Sequence, residues 1–307
     1  MHCTIGLTGF VRLGIREMTL IASKGSSARV WRLRCLLLVL LAITATYLAP
    51  YSIAQTRQIT QLKGDIYRFQ NNHHYSVFVV TSAGVLVTDP INASAAQWLK
   101  SEIATMTDQP ITHLVYSHSH ADHASGGLAF GDELTVVAQQ NAPATIDGVA
   151  PTVRVNENHS FELGGKTIEL TALGPGHGDD LMAMIIRPEN VLFVVDAVAA
   201  KRLPYRDFPG VDVDGLAVQI DKVASLDFDL MAPGHGATGS LNDVKLQADY
   251  LRELTEAVRQ AMRQGLMGEQ LVMAVPMQAY RDWGAYDRWH ALNVRGMERW
   301  LAAGPTQ

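Results

Sequence analysis

The chain has 307 residues, of which 48% are apolar and 18% are charged, and its formal net charge at pH 7 is −5. This composition is typical of one globular domain of ordinary size, with or without a leader segment. Because binding to nucleic acid depends on basic contacts with phosphate, an acidic chain of this kind is a poor candidate for it.

Residues 1–54 have the features of an N-terminal leader. Arginine residues precede an apolar run over residues 36–43, and small residues lead up to Ala54. This pattern is typical of a secretory signal peptide cleaved after Ala54. The run is shorter than the ~20 residues that a membrane-spanning helix needs, so an uncleaved anchor is the weaker alternative. We expect a periplasmic or secreted protein, without stable membrane insertion after cleavage, whose translation starts at Met1 or Met18.

Cleavage would leave residues 55–307 as a single domain without cysteine. Cys3 and Cys35 both lie in the leader. The domain then has no disulfide and no thiolate metal ligand, which is compatible with an oxidising compartment. A small-molecule substrate is the expected partner, and the sequence leaves the oligomeric state open.

The predicted elements of the domain begin with strands. Short segments rich in Val, Phe and Tyr predict strands at residues 65–70, 75–81 and 84–89. Apolar residues at helical spacing then predict a helix at 95–106, and a strand follows at 112–117. Further strands are predicted at residues 134–138, 167–173, 182–187, 191–195 and 229–232, and helices at residues 216–226, 244–263, 268–275 and 286–301. This order favours an α+β fold of two stacked sheets with helices outside them.

The densest group of chemically active side chains directly follows the strand at residues 112–117. His118, His120, Asp122 and His123 lie in one short turn. Two metal ions a few ångströms apart need about seven or eight nitrogen and oxygen ligands, and one turn can supply many of them. The cluster therefore predicts a metal site, provided that further ligands follow along the chain.

Further ligand-type residues follow three later strands. His177 and His235 each lie in a glycine-containing turn after a predicted strand, and Asp196 ends an apolar strand. Glycine beside a histidine lets the backbone and a substrate approach closely. A carboxylate at the end of an apolar strand is costly to bury unless a cation compensates it.

The order of these residues resembles the metallo-β-lactamase-fold hydrolases over nearly the whole domain. The resemblance implies a four-layer αβ/βα sandwich. It also implies that Asp89, at the end of an early strand, supports the metal loop without binding metal. The implied ligands are His118, His120 and His177 for one metal, Asp122, His123 and His235 for the second, and Asp196 between the two.

One departure from the best-known branch of that family concerns Asp196. Class B1 β-lactamases carry a cysteine at this position, whereas a bridging aspartate is similar to glyoxalase II, lactonases and phosphodiesterases. β-Lactam hydrolysis is therefore expected only as a minor activity. The expected substrates are small esters, lactones, thioesters or related acyl compounds.

The expected mechanism follows from charge. A hydroxide held between two divalent ions exists at neutral pH because the metals lower its pKa toward about 7. It would attack a carbonyl carbon or a phosphorus atom. The second metal would stabilise the leaving group, or else Asp122, the predicted catalytic residue, or a metal-bound water would protonate it. Two Zn(II) ions are the expected cofactors, although histidine-rich sites with a bridging carboxylate also accept Fe or Mn.

Two segments are candidates for contact with the substrate. His73 and His74 lie between the first two predicted strands, where family members carry a loop above the metals. Either could contact the substrate or support a metal ligand; the alternative is a plain exposed loop. Arg202 and Arg206 lie in a basic segment after Asp196, and either could pair with an anionic substrate group, unless the segment is simply solvated. The aromatic residues Trp283, Tyr286, Trp289 and Trp300 are predicted to pack helices rather than to bind a ligand.

Two other functional classes stay open from the sequence. Some members of the family are iron-dependent oxidoreductases of the sulfur dioxygenase type. A periplasmic accessory to a redox system, without turnover of its own, is the other alternative.

Overall fold

The computed structural model describes residues 56–304. The predicted leader and its cleavage site lie outside the described residues. Two β-sheets form the centre of the fold, with seven and five strands.

The first sheet contains seven strands in chain order. These are β1 (Arg57–Lys63), β2 (Ile66–Asn71), β3 (His74–Thr81), β4 (Gly84–Thr88), β5 (Ile111–Val115), β6 (Thr135–Gln139) and β7 (Val153–Val155). Strands β1 to β4 pair antiparallel, whereas β4 to β7 pair parallel.

The second sheet has five strands in the order β12-β11-β10-β9-β8. These are β8 (Asn158–Leu163), β9 (Lys166–Ala172), β10 (Met182–Arg187), β11 (Val191–Val194) and β12 (Leu230–Pro233). The pairs from β8 to β11 are antiparallel, and β12 lies parallel to β11.

Helices complete the outer layers. They are α1 (Ala93–Met106), α2 (Ala121–Ala124), α3 (Val213–Ala224), α4 (Leu241–Arg263), α5 (Gly268–Ala274) and α6 (Tyr286–Ala303). Helix α1 begins at Asn92, whose side chain accepts a hydrogen bond from the Ala95 N–H, and α4 begins with a capping box between Ser240 and Asp243. Within residues 56–304, no helix combines the length and apolar composition needed to cross a membrane.

The first sheet lies between two apolar cores, because the side chains along its strands point alternately to its two faces. Val77 and Val79 of β3 belong to the apolar cluster shared with the second sheet, whereas Phe78 packs in the cluster with α1. Successive side chains of a strand point to opposite faces, so apolar residues on both faces require cover on both. Each fully buried side chain of this kind stabilises the fold by about 1.5–3 kcal/mol. The predicted four-layer sandwich is confirmed.

Three strands were absent from the sequence prediction: β1, β7 and β8. The edge strand β1 has only half-buried and exposed residues, so its backbone pairing with β2 leaves almost no apolar signal in the sequence. Strand β8 likewise alternates between exposed and half-buried positions before Leu163. The pairing of β1 and β8 depends on the adjacent strand of the sheet rather than on a strong apolar pattern in their own sequence.

Candidate metal centre

Strand direction brings the predicted ligands to one edge of the sandwich. The segment 117–123 follows β5, which runs parallel to β4, so it lies beside Asp89 at the end of β4. In the second sheet, β9 and β11 run in the same direction because each is antiparallel to β10, and β12 is parallel to β11. The turns with His177, Asp196 and His235 therefore leave the same ends of neighbouring strands.

Asp89 organises the turn that follows β5. Its buried carboxylate accepts hydrogen bonds from the Ser117 N–H at 2.8 Å and the Ser117 hydroxyl at 2.6 Å, and lies 3.3 Å from His123 Nδ1. Ser117 Oγ is also 3.0 Å from His118 Nδ1. Because Asp89 and Ser117 engage the Nδ1 side of both imidazoles, the two Nε2 atoms are left for the centre of the site. This arrangement fits the supporting role implied for Asp89.

Asp196 lies at the centre of the histidines. Its Oδ2 is 3.1 Å from His177 Nε2, 3.4 Å from His118 Nε2 and 3.4 Å from His123 Nε2. Its Oδ1 is 3.2 Å from His235 Nε2. The backbone of Asp196 is left-handed, with φ of 57°, a conformation that costs about 1–3 kcal/mol for most non-glycine residues. The turn thus places one carboxylate between imidazoles from both sheets.

The predicted ligands fall into two groups that share Asp196. Within each group the ligand atoms lie within 4.8 Å of one another. The first group is His118, His120, His177 and Asp196, and the second is His123, His235 and Asp196. Asp122 borders the second group, with Oδ2 3.7 Å from His123 Nε2 and 4.0 Å from His235 Nε2. The structure therefore brings together every residue that the resemblance implied as a ligand.

His74 lies beside the second group, where the sequence predicted contact either with the substrate or with a metal ligand. Its Nε2 lies 3.4 Å from Asp122 Oδ2, and its ring centroid is 4.9 Å from that of His235. The nitrogen, one Asp122 oxygen and a His235 nitrogen form a further set of potential ligand atoms. The signal available in the sequence was its place at the start of β3, which runs antiparallel to β4 and so starts at the edge where β4 ends.

The turn between β2 and β3 also orients His235. His235 Nδ1 lies 2.9 Å from the carbonyl oxygen of His73, and the Tyr75 N–H donates to the Gly234 carbonyl at 2.9 Å. An Nδ1–H that donates to a carbonyl leaves Nε2 as the metal-binding atom. Glycine is required at 234 because a Cβ there would lie 2.9 Å from Cε1 of His123.

Arg68 supports the same turn from inside the sandwich. Its buried Nη2 donates to the carbonyl oxygens of Pro233 at 2.6 Å and Gly236 at 2.8 Å, on either side of His235. Its Cζ lies 3.7 Å from the ring centroid of Tyr75. Burial lowers the pKa of Arg68 to about 10, which still leaves it a cation at neutral pH. The sequence analysis missed this residue because its partners are distant in sequence.

The charges of the site favour ionised carboxylates. The hydrogen bond with His74 holds the pKa of Asp122 well below its usual range. Burial would raise the pKa of Asp196, but the charge of His123 and hydrogen bonds from the surrounding histidines lower it well below the usual value. Burial, with neighbouring imidazoles, lowers the pKa of His120. Ionised carboxylates beside a neutral imidazole are suited to holding cations.

The donor set fits metal ions. His118 Nε2 is buried and faces Asp196 Oδ2 at 3.4 Å, and among residues 56–304 it makes no closer, well-directed hydrogen bond. His123 Nε2 and His235 Nε2 approach to 3.2 Å, and His120 Nδ1 and His177 Nε2 to 2.9 Å. When such nitrogens are unprotonated, their facing lone pairs require a cation between them. Imidazole and carboxylate ligands accept Zn, Fe and Mn, so the donors do not select one metal.

One protein-family profile matches the part of the chain that contains the fold and the ligands described above. The profile of the metallo-beta-lactamase superfamily matches residues 71–235. This match includes every predicted ligand and more than half of the chain. The chain belongs to the metallo-β-lactamase superfamily.

Relatives within the superfamily are distant. The 2,4-dinitroanisole O-demethylase subunit alpha of Nocardioides sp. (strain JS1661) is 23% identical over 184 residues, covering 57% of this chain and 56% of that protein. Thioesterase pkgB of Emericella nidulans is 24% identical over 165 residues, covering 52% of this chain and 45% of that protein. The chain thus spans about half the length of these curated relatives.

Solved structures of the superfamily share the fold. The metallo-beta-lactamase from Pontibacter korlensis superposes with a TM-score of 0.58 at 20% identity, covering 64% of this chain and 99% of that one. At this identity the likeness concerns the fold alone.

A cavity of about 600 Å³ opens over the metal centre of this superfamily member. His73, His74 and Arg202 line it, as their prediction as substrate contacts requires. Arg206 is not among the lining residues: it is exposed, and its Cζ lies 5.8 Å from the Tyr205 ring. Of the two arginines predicted to contact the substrate, the structure thus places only Arg202 in the lining of this cavity.

Residues from the C-terminal helix complete the cavity. Arg288 and Trp289 of α6 line it, together with Gln247 of α4. Trp289 was expected to serve only in helix packing, and Arg288 carried no signal in the sequence. Their place in the cavity follows from the packing of α6 against the segment after Asp196, which no local pattern reveals.

Proposed function

We propose that this chain is an exported, dinuclear metal-dependent hydrolase that acts on a small ester, lactone, thioester or similar acyl compound. The observation that carries the proposal is the position of Asp196, whose two oxygens contact imidazoles of both ligand groups. A carboxylate shared in this way suits two cations rather than one. When bound, such ions supply Lewis acidity and lower the pKa of a water molecule toward neutrality.

The chain's own residues have separate roles in this proposal. His118, His120 and His177 hold the first ion, while Asp122, His123 and His235 hold the second. Asp122 is also the half-exposed carboxylate of the site, so its Oδ2 is the atom we assign to accepting the proton of the attacking water and passing it to the leaving group. His74 holds that carboxylate in place. Apolar side chains of the cavity exclude water from the body of the substrate.

Acyl chemistry is favoured by the cavity and by one relative. Much of the lining is apolar, as a hydrocarbon acyl group requires. One curated relative is named a thioesterase, whereas another is named for O-demethylation of 2,4-dinitroanisole. Since this chain has Asp196 where class B1 β-lactamases have cysteine, β-lactams are proposed only as minor substrates.

The decisive experiment is a substrate panel on metal-quantified protein. Esters, lactones, thioesters, β-lactams and phosphodiesters should be compared, with Asp196→Ala and His120→Ala beside the wild type. We expect at least one acyl class to be hydrolysed, and both variants to lose more than about 100-fold in activity. Asp179→Ala is a matched control because Asp179 is exposed and lies outside both ligand groups.

Other outcomes of this experiment would select the other functional classes. Full activity in both variants would contradict a dinuclear mechanism. Stoichiometric iron with oxygen consumption would indicate an oxidoreductase. Metal-loaded protein that is inert toward the whole panel would indicate an accessory protein.

Export requires its own measurement. N-terminal sequencing of protein expressed from the full gene should give a chain that begins at Gln55. Recovery of the uncleaved chain in the membrane fraction would instead support the anchor.

A further inference from the structure

The cavity has a second polar end, distinct from the metal ligands. Arg202 and Arg288 both lie beside Trp289, with Cζ atoms 4.7 Å and 5.5 Å from its ring centroid. All three residues line the cavity that also contains Asp196 and His235. We call Arg202, Arg288 and Trp289 the cation wall.

Arg202 is held rigidly at this position. The Leu203 N–H donates to the Gly284 carbonyl at 3.0 Å, and the Gly284 N–H donates to the Lys201 carbonyl at 2.8 Å. The buried Gln247 amide nitrogen, in its hydrogen-bonding orientation, donates to the Arg202 carbonyl at 3.2 Å. The Arg202 backbone is therefore fixed from both sides, which reduces the entropy lost in ordering this segment when a ligand binds.

The side chain of Arg202 connects the metal centre with the cation wall. Its Cδ lies 3.5 Å from the position that a Cβ on Gly236 would occupy, directly after the ligand residue His235. Its guanidinium then reaches Trp289 of α6. Arg202 therefore lies beside both the His235 turn and Trp289.

The two guanidinium groups have no carboxylate partner. Within residues 56–304, neither Arg202 nor Arg288 has an acidic oxygen within 4.0 Å, and neither guanidinium donates a hydrogen bond. Arginines elsewhere in this acidic chain do meet carboxylates: Arg187, Arg252, Arg259, Arg263, Arg295 and Arg299. Burial, and then the neighbouring charge of Arg288, lower the pKa of Arg202. Two like charges beside one indole ring are stabilised by an anion that contacts both.

We infer that the cation wall binds a carboxylate group of the substrate, while the apolar part of the cavity holds the hydrocarbon between this group and the metal centre. The inference deepens the proposed function and rests on it. It specifies an acyl substrate that is itself an anion, with its scissile bond and its carboxylate at opposite ends. Leu203 and Phe208, both buried and both lining the cavity, supply the apolar contact between the two ends.

A matched pair of esters tests this inference. The anionic probe is the 4-nitrophenyl monoester of glutaric acid, and the neutral probe is the same compound with its free carboxylate methylated. We expect the wild type to prefer the anionic ester. Arg202→Met with Arg288→Met should lower that preference by about 10-fold to 100-fold through KM, because a charge-assisted hydrogen bond is lost. Hydrolysis of the neutral ester should fall several-fold less than that of the anionic ester, because the neutral probe has no carboxylate for the arginines to bind.

Arg206→Met is the matched control. It removes one positive charge from the same segment, but Arg206 does not line the cavity. We expect it to keep the wild-type preference and metal content. Equal preference in the wild type and the double variant, or an equal loss in Arg206→Met, would overturn the inference.

A binding measurement separates this inference from the proposed hydrolysis. Metal-loaded protein should be titrated with hexanoate and with hexanamide by isothermal calorimetry. Tighter binding of hexanoate, lost in the double variant and kept in Arg206→Met, would support the cation wall even if no ester is cleaved. Equal hexanoate affinity in the wild type and the double variant would overturn it, whatever the activity.

Discussion

The two ends of the cavity are built by different means. At the metal centre, buried polar groups from both sheets contact one another, as in the pairing of Asp89 with Ser117 and His123. At the cation wall the side chains are exposed or half-buried: the apolar packing of α6 positions Arg288 and Trp289, and backbone hydrogen bonds position Arg202. A buried polar network is costly to break, whereas apolar packing tolerates small changes. The metal centre should therefore be sensitive to single substitutions, and the cation wall should tolerate them with graded losses.

The largest effect is expected from Arg68→Met. This substitution removes a buried cation and leaves the Pro233 and Gly236 carbonyls without their donor. We expect the free energy of unfolding to fall by about 2–4 kcal/mol. Affinity for the second metal ion should fall about 10-fold to 100-fold, because the His235 turn loses its support. Thermal unfolding and metal titration against a chelator measure the two effects.

Arg154→Met is the control for this substitution. The Arg154 guanidinium also donates to backbone carbonyls, including that of Pro143 at 2.7 Å, but it contacts no ligand turn. It should lower stability without changing metal affinity. A drop in metal affinity of equal size in both variants would remove the special role of Arg68.

A smaller effect on the metal centre is expected from His74→Ala. The variant loses the nitrogen that lies 3.4 Å from Asp122 Oδ2, so Asp122 is less constrained. We expect about a 10-fold loss of affinity for the second ion, with the first ion unaffected. His73→Ala provides the comparison because it keeps the backbone carbonyl that faces His235. Identical metal binding in His74→Ala and wild type would leave His74 with only a substrate role.

At the cation wall, Gly296→Ala tests how closely α6 packs against the segment that contains Asp207. A Cβ at this position would lie 2.5 Å from the carbonyl oxygen of Asp207. The segment must shift, at a cost of about 1–3 kcal/mol. We expect a higher KM for the anionic ester and unchanged metal content by elemental analysis. Loss of metal together with the rise in KM would show that the two ends are not independent.

The smallest effect concerns acid stability near the cation wall. His290 of α6 stacks on Tyr286 with ring centroids 4.7 Å apart, and burial lowers its pKa. A depressed pKa means that the unfolded chain binds this proton more tightly, so stability falls as the pH drops below the ordinary histidine value. His290→Phe should therefore reduce the loss of melting temperature between pH 7 and pH 5.5. An unchanged pH dependence would exclude His290 as a contributor.

The sequence predicted the clustering of the ligand-type residues well, because the chemistry of these residues is local. His118 to His123 lie in one turn, and each later ligand directly follows an apolar strand. The pattern can therefore be recognised in the sequence without knowing which residues contact one another in the fold. The predicted strands next to these turns agree with the structure for the same reason. Weakly patterned β1 and β8 were missed, since backbone pairing with a neighbouring strand stabilises them more than their own side chains do.

The amino-acid sequence alone determined the family resemblance, the four-layer fold and the set of ligand-type residues. Only the tertiary structure decided that His74 approaches Asp122, that Arg68 supports the His235 turn, and that the aromatic residue Trp289 lines the cavity. These contacts join positions far apart in sequence, and they depend on how α6 and the β2–β3 turn pack against the sheets. Local periodicity carries no information on such packing, because the residues that meet belong to separately folded elements.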